Sequence, residues 1–243
     1  MQCIRNLVEY YDELHPVTDS IKDFYGQFKM QYPFPQKFLH IGSGTGSLEF
    51  FLAKEGYDVT GIEVFQPLLD SAILKRRTQL LSIRFFNLST LEMGKFLGRK
   101  FYNVISCLNN RIVFIRDKEM MRKFFSDCHE LLSDGGTLVL QLYNYKKPER
   151  ADTAAMPEKS SIRAKLYTKI AYQNNGAQLS QTLETGNGSI IPIIQDEAIY
   201  PLAQDEIKQF AEESGFREIR FFEGFGGQPA TEQSEEIVCI LTC

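Results

Sequence analysis

Apolar and polar residues change rhythm several times along this chain, and each change marks an element. Ile4 to Leu14 and Ile21 to Met30 read as two helices joined through His15-Pro16. In the second, Ile21, Phe24, Tyr25 and Phe28 recur at three- and four-residue spacing and form one apolar face. Pro33 and Pro35 break that pattern. From Lys37 onward, short apolar runs alternate with helical stretches. Strands are predicted over Lys37–Ile41, Asp58–Ile62, Ser82–Phe86, Phe101–Leu108 and Thr137–Tyr143. Helices are predicted over Ser47–Glu55 (stopped by Gly56), Gln66–Arg77, Leu91–Leu97 and Asp117–Leu132. The last has an apolar face of Met120, Met121, Phe124, Phe125, Cys128, Leu131 and Leu132 and ends in a turn at Asp134-Gly135-Gly136. Strand and helix alternating at this spacing imply right-handed crossovers and a parallel sheet covered on both faces.

After Tyr145 the alternation stops. Lys146 to Ser161 is polar and reads as a loop. Ala164–Tyr172, Gln178–Glu184 and Ile190–Ala198 read as strands separated by Asn174-Asn175-Gly176 and Gly186-Asn187-Gly188, both hairpin signals. Leu202–Ser214 returns to helix, ended by Gly215, and Glu218–Glu223 and Ile237–Leu241 are two more strands around a loop from Gly224 to Glu236. Three parts follow: an N-terminal helical cover (1–36), a main α/β domain (37–145 and 200–243), and an antiparallel insert (146–199) serving as a substrate cover or a subunit contact. A homo-oligomer is compatible with the latter.

Composition narrows the class. With 243 residues, 43% hydrophobic and 24% charged, the chain is an ordinary globular one. No apolar run approaches the roughly eighteen residues that span a bilayer, and Met1 to Glu13 does not resemble a signal peptide. A net charge of −4 argues against holding a nucleic-acid backbone by bulk charge. Five scattered cysteines, without a CxxC pair, and three separated histidines point to reduced thiols in a cytoplasmic protein and to no metal site.

The strongest chemical signal is Ile41-Gly42-Ser43-Gly44-Thr45-Gly46, directly after the first strand and before the first crossover helix. Such a turn lets a ligand approach the backbone, and the helix N-terminus favours its polar or anionic groups. The spacing is GxGxG rather than the dinucleotide GxGxxG, with Ser47 where the last small residue would stand. About twenty residues further on, Glu63 closes the second strand, where an acid can accept hydrogen bonds from both hydroxyls of an adenosine ribose.

Phe38 to Gly46, followed by Leu52 to Glu63, resembles the class I S-adenosylmethionine-dependent methyltransferases. The resemblance covers Lys37 to Tyr145 well and Tyr200 to Cys243 more loosely. It implies a Rossmann-like fold: a seven-stranded, mostly parallel sheet with helices on both faces, here carrying a small antiparallel β insert. It also implies S-adenosylmethionine as cofactor, held by His40, Gly42, Ser43, Gly44, Gly46, Glu63, Val64, Leu68, Asn87, Leu88 and Cys107. His40 is a departure, because the family usually has there an acid that helps hold the cofactor's amino group. Val64 and Leu68 fall where the family packs the adenine, and Asn87 where an Asp often meets the adenine amino group.

Asn103 to Ile115 further resembles the glycine and sarcosine N-methyltransferases and related small-molecule enzymes. Cys107 and Asn110 match that pattern, while Asn109 stands for Gly, Arg111 for Ser and Phe114 for His. The resemblance gives Asn110 a substrate-positioning role. Tyr143 replaces an arginine that grips the substrate carboxylate, which argues against glycine itself; Arg111 is a candidate replacement charge. Tyr145, Tyr11 and Tyr25 are further candidates to line the site. The reaction implied is in-line methyl transfer to nitrogen or oxygen of a small molecule. A nicotinamide oxidoreductase is disfavoured by Ser47. A non-catalytic adenosyl-binding or partner-binding protein remains open through His40, Asn109 and Phe114.

Overall fold

The computed structural model describes residues 2–77, 82–147, 152–173 and 176–243, with side chains from Leu7 onward. It opens with α1 (Gln2–Leu14) and α2 (Asp19–Gly26), the latter continued by a 3-10 turn over Gln27–Met30. Thr18 caps α2, accepting from the Ile21 amide. The main domain then runs β1 (Lys37–Ile41), α3 (Ser47–Lys54), β2 (Asp58–Ile62), α4 (Gln66–Arg77), β3 (Ile83–Phe86), α5 (Met93–Phe96), β4 (Tyr102–Cys107), α6 (Lys118–Leu131) and β5 (Leu132–Tyr143). The insert contributes β6 (Thr153–Ala155), β7 (Lys159–Ser160), β8 (Ala164–Gln173), β9 (Gly176–Thr185) and β10 (Ile190–Ile199). The chain ends with α7 (Gln204–Ser214), β11 (Glu218–Phe222) and β12 (Glu236–Thr242).

Seven strands form one sheet in the order β11-β12-β5-β4-β1-β2-β3. The pairs β1–β2, β2–β3, β1–β4 and β4–β5 are parallel, and β12 is antiparallel to both its neighbours. The Rossmann-like expectation holds, as does a separate antiparallel sheet, with order β10-β9-β8-β6 and β7 also paired to β8.

Three local expectations need correction. The region 146–161 is not all loop, since β6 and β7 pair with β8 through Thr153↔Ala171 and Lys159↔Leu166. Both strands are too short for a period of two to be read from the sequence; they form by pairing with β8. Strand β5 begins at Leu132, before the expected turn. The ladder with β4 shifts register between Tyr102 and Val104, and Gly135 takes up the excess chain at φ +70°. Met120, assigned to the apolar face of α6, is exposed, while Met121, Phe124, Phe125, Cys128 and Leu131 are buried. Asp117 caps that helix, accepting from the Glu119 and Met120 amides at 2.8 and 3.1 Å. Of the hairpin signal at 174–176, positions 174 and 175 lie outside the described residues; Gln173 pairs with Gly176 across them.

Two apolar layers bury the sheet. One joins β1, β4 and β5 to α6 and α7, where the Phe125 and Phe210 rings lie 5.7 Å apart. The other joins Phe38, Val59 and Val104 to α2 and α3. A third cluster places α1 between the main domain and the insert, through Leu7, Tyr11, Leu14 and Leu68 against Leu166, Leu183 and Ile193. Gln36 anchors the N-terminal cover: buried, it donates from Nε2 to the carbonyls of Phe28, Lys29 and Tyr32 at 2.9–3.0 Å. Gln36→Leu keeps the volume and removes that donor, so the stability loss should be about 2 kcal/mol. A lowered urea midpoint with an unchanged slope would show it.

Candidate active site

The turn from β1 into α3 is left-handed at each glycine, with φ +75° at Gly42, +59° at Gly44 and +84° at Gly46. Side chains press on all three, Phe85 lying 2.6 Å from where a Cβ at position 46 would stand. A Cβ at position 42 would lie 2.8 Å from Cγ of Arg111, and one at position 44 would lie 2.4 Å from the Tyr11 ring. Glycine is required there on both counts. Glu63, buried at the end of β2, braces the turn by accepting from the Gly44 amide at 3.0 Å and from the Phe65 amide at 2.8 Å. Each bond uses one carboxylate oxygen and leaves lone pairs for a ligand.

A cavity of about 570 Å³ opens over the carboxyl ends of β1, β2, β4 and β5. Gly42, Glu63, Val64, Leu68, Leu88 and Cys107 line it, together with Asn110, Arg111 and Tyr143. The insert closes the other side with Leu179, Gln181, Ile193, Ile194 and Gln195. A second cavity, about 410 Å³, lies beyond Tyr11, His15, Asn109 and Lys159, which line both; its own wall includes His40, Ser43 and Ser47.

The remaining expected residues sit elsewhere. Gly46 caps α3 and faces the Phe85 and Phe50 rings rather than a cavity. Asn87 is exposed and donates to Oε1 of Gln66. Tyr25 is a correction: it is fully buried, its hydroxyl paired with Ser106 Oγ at 2.7 Å, and belongs to the core. Tyr145 accepts from Asn110 Nδ2 at 2.6 Å and lines neither cavity.

The tip of β4 is unusual. Asn109 and Asn110 have φ +53° and +62° in succession. Asn tolerates this region better than most residues, which explains how Asn109 can stand where the resembling pattern has glycine. The Asn110 side chain ties β4 to β5: Oδ1 accepts from the Tyr143 amide at 3.2 Å and Nδ2 reaches Tyr145.

Sequence reasoning missed His15 and Lys159. Nδ1 of His15, Oδ1 of Asn109 and Nζ of Lys159 form a triangle with sides of 3.0, 3.1 and 3.1 Å. It joins α1, the β4 tip and the insert, far apart in sequence, so no local motif announces it. Burial lowers Lys159, partly offset by Glu236. Burial, with Lys159 beside it, holds His15 well below its ordinary value. Burial also raises Tyr11, and it pushes the Cys107 thiol up to about 12. Arg111 stays charged: burial opposes its charge, but nearby Tyr11 and Glu63 outweigh burial, and its Nη2 donates to the Tyr11 hydroxyl at 3.2 Å. Among the described residues, no cluster of His, Cys, Asp or Glu could hold a metal ion.

Residues 38–136 match the family model of a methyltransferase domain. A methyltransferase of Geobacillus sp. (strain WCH70) is 24% identical over 208 residues, covering 83% of this chain and 82% of the relative. The fold is shared with the CcbJ methyltransferase of Streptomyces caelestis (TM-score 0.79, 18% identity, 98% of this chain and 96% of that one). It is also shared with CalS10, an amino pentose methyltransferase of Micromonospora echinaspora solved with S-adenosylmethionine bound (TM-score 0.66, 20% identity, 96% and 95%). Residues 38–136 are thus a methyltransferase domain, and S-adenosylmethionine is the cofactor its site is measured against. The residues present fit that cofactor. The glycine turn admits a ligand close to the backbone, Glu63 has free lone pairs, and the buried His40 Nε2 and Ser43 Oγ, in the second cavity's wall, lack protein partners.

The lowered His15 gives a pH dependence with a definite sign. An unfolded histidine titrates near 6.5; below that, the unfolded chain takes up a proton that the native chain refuses until lower pH. The stability contributed by neutral His15 is complete above about pH 6.5 and falls as pH drops toward the native value. His15→Gln should flatten the stability curve in that window, as read by urea unfolding at about pH 7 and about pH 5.

Proposed function

We propose that the protein methylates a nitrogen or oxygen atom of a small polar molecule held in the larger cavity under the insert. One observation carries this reading: the glycine turn, Glu63, the β4 and β5 tips and the insert strands converge on that single cavity. The bound cofactor supplies an activated methyl group on a sulfonium, displaced in line by the acceptor. The chain's task is then alignment and exclusion of water.

Glu63 accepts the ribose hydroxyls, and Val64, Leu68 and Leu88 flank the adenine. Leu179, Ile193 and Ile194 keep the acceptor side dry from above. Gln181 and Gln195 offer amide donors and acceptors to hydroxyl groups, which suits an acceptor such as the amino pentose of the Micromonospora enzyme. Asn110 holds Tyr143 in place at the acceptor face, the role nearest to that suggested by the glycine and sarcosine enzymes. Arg111 brings a charge to the same wall and favours an acidic group on the acceptor. Cys107 lines the wall as a neutral thiol, so the protein presents no thiolate to compete for the methyl group.

Calorimetric titration tests the reading. S-adenosylmethionine and S-adenosylhomocysteine should bind with micromolar affinity and NADH should not. Glu63→Ala should weaken both adenosyl ligands at least about tenfold, or about 1.4 kcal/mol. Binding of NADH, or an unchanged affinity in the variant, would refute the assignment. Arg111→Ala should raise KM for acidic acceptors and leave neutral ones unchanged.

A further inference from the structure

Behind the glycine turn lies a buried ionisable pair. Glu49, in the first turn of α3, is fully buried, and its Oε1 lies 2.7 Å from Nδ1 of His40 at the end of β1. A carboxylate only accepts hydrogen bonds, so the shared proton sits on Nδ1. In the neutral form of the ring the lone pair then lies on Nε2. That atom is buried without a protein partner, in a residue that lines the second cavity. Glu49 Oε2 is likewise buried and unpartnered. Among the described residues, no lysine or arginine lies within 4 Å of Glu49. The N-terminal end of α3 offsets part of the charge, but a buried carboxylate with one neutral hydrogen-bond donor remains short of a counter-charge.

We infer that Glu49, acting through His40, makes the wall of the second cavity an acceptor for a cationic donor, and that this donor is the primary ammonium of the cofactor's amino-acid tail. The ligand assignment rests on the adenosyl-cofactor reading. Two features of the cavity favour it. It adjoins the glycine turn on the side away from the adenine-flanking residues Val64, Leu68 and Leu88, which line only the larger cavity. Its lining also includes Lys159, whose ammonium bonds among the described residues to the neutral His15 and Asn109 and has the Glu236 carboxylate nearby in the same wall. A zwitterionic tail needs an acceptor for its ammonium and a cation for its carboxylate; this cavity's wall holds both, with His40, Glu13 and Glu236 as acceptors and Lys159 as the cation. The His40 departure therefore does not discard the acid found at that strand end in the resembling enzymes. The acid sits nine positions along the chain, at Glu49, and reaches the cavity through an imidazole. Glu49 is thus a positioning residue: it fixes the His40 tautomer and supplies the charge behind it.

The test compares two ligands sharing the adenosine and thioether but differing in the tail: S-adenosylhomocysteine, and 5′-methylthioadenosine, which lacks the amino acid. Calorimetry on the folded full chain reads both. Glu49→Gln preserves shape and hydrogen bonding while removing the charge; it should weaken S-adenosylhomocysteine at least about tenfold, or about 1.4 kcal/mol, and change methylthioadenosine less than about twofold. Adding His40→Asp should restore most of the lost affinity by placing the acid at the strand end. If Glu49→Gln does not fold, His40→Phe removes the acceptor and should show the same ligand-selective loss. Equal losses for the two ligands, or undiminished S-adenosylhomocysteine binding, would overturn the inference. Failure of both ligands to bind the wild type would instead overturn the cofactor reading beneath it.

Discussion

Strands β1 and β4 lie side by side and parallel, yet the chain leaves them in opposite directions. From β1 it crosses to β2 and β3; from β4 it crosses to β5. The loops at their carboxyl ends cannot fill the space between them, and a crevice must open there. Everything chemical in the molecule is arranged around it. The glycine turn supplies one lip and Asn109, Asn110 and Arg111 the other. Glu63 stands beside them because β2 is the next strand of the same hand, and Tyr143 because β5 follows on the far side. A parallel sheet with a reversal in strand order thus fixes which residues meet before any side chain is specified.

The crevice alone would be open to water. Closure comes from α1 and the insert, which pack on each other through Tyr11, Leu14, Leu166 and Leu183. Arg163 adds ion pairs to Glu9 and Glu13, exposed enough that each contributes little. Closure therefore rests on apolar burial and on the His15–Asn109–Lys159 triangle, where three separate parts of the chain share polar contacts. In-line methyl transfer depends on alignment and dryness more than on a strong base, so covering the site and assembling it are one event.

The main sheet was legible in the sequence because its inner strands are buried apolar runs bounded by helices or turns, while the edge strands β3 and β11 are only partly buried. Gly42, Glu63 and Leu68 could be placed in one site because a strand-to-helix turn and the next strand's end carry local signatures. The residues that escaped have no such signature. Lys159 lies on a two-residue strand that exists only through pairing with β8, and His15 lies at the end of a helix whose partner is a remote insert. Tyr25 went wrong for the opposite reason: its helical spacing marks burial but cannot say whether the buried end meets a ligand or, as here, Ser106.

Few buried polar side-chain atoms in a folded protein go without a partner, because each costs about 1–3 kcal/mol. Among the described residues such atoms are Gln36 Oε1, Tyr57 Oη, His40 Nε2, Ser43 Oγ and Glu49 Oε2. The last three cluster on the glycine turn and the two elements it joins. An apolar residue at Ser43, or an apolar pair in place of His40 and Glu49 together, would be the more stable choice for folding alone. Their grouping is what a site looks like when polarity is held ready for a ligand rather than used within the protein. The same reasoning applies to Lys159, a half-buried ammonium whose hydrogen-bond partners among the described residues, His15 and Asn109, are neutral. Folding around these groups is offset by the large apolar layers on either side of the sheet. A ligand with matching charges would regain that cost on binding, which links the stability sacrificed at the turn to affinity gained in the crevice.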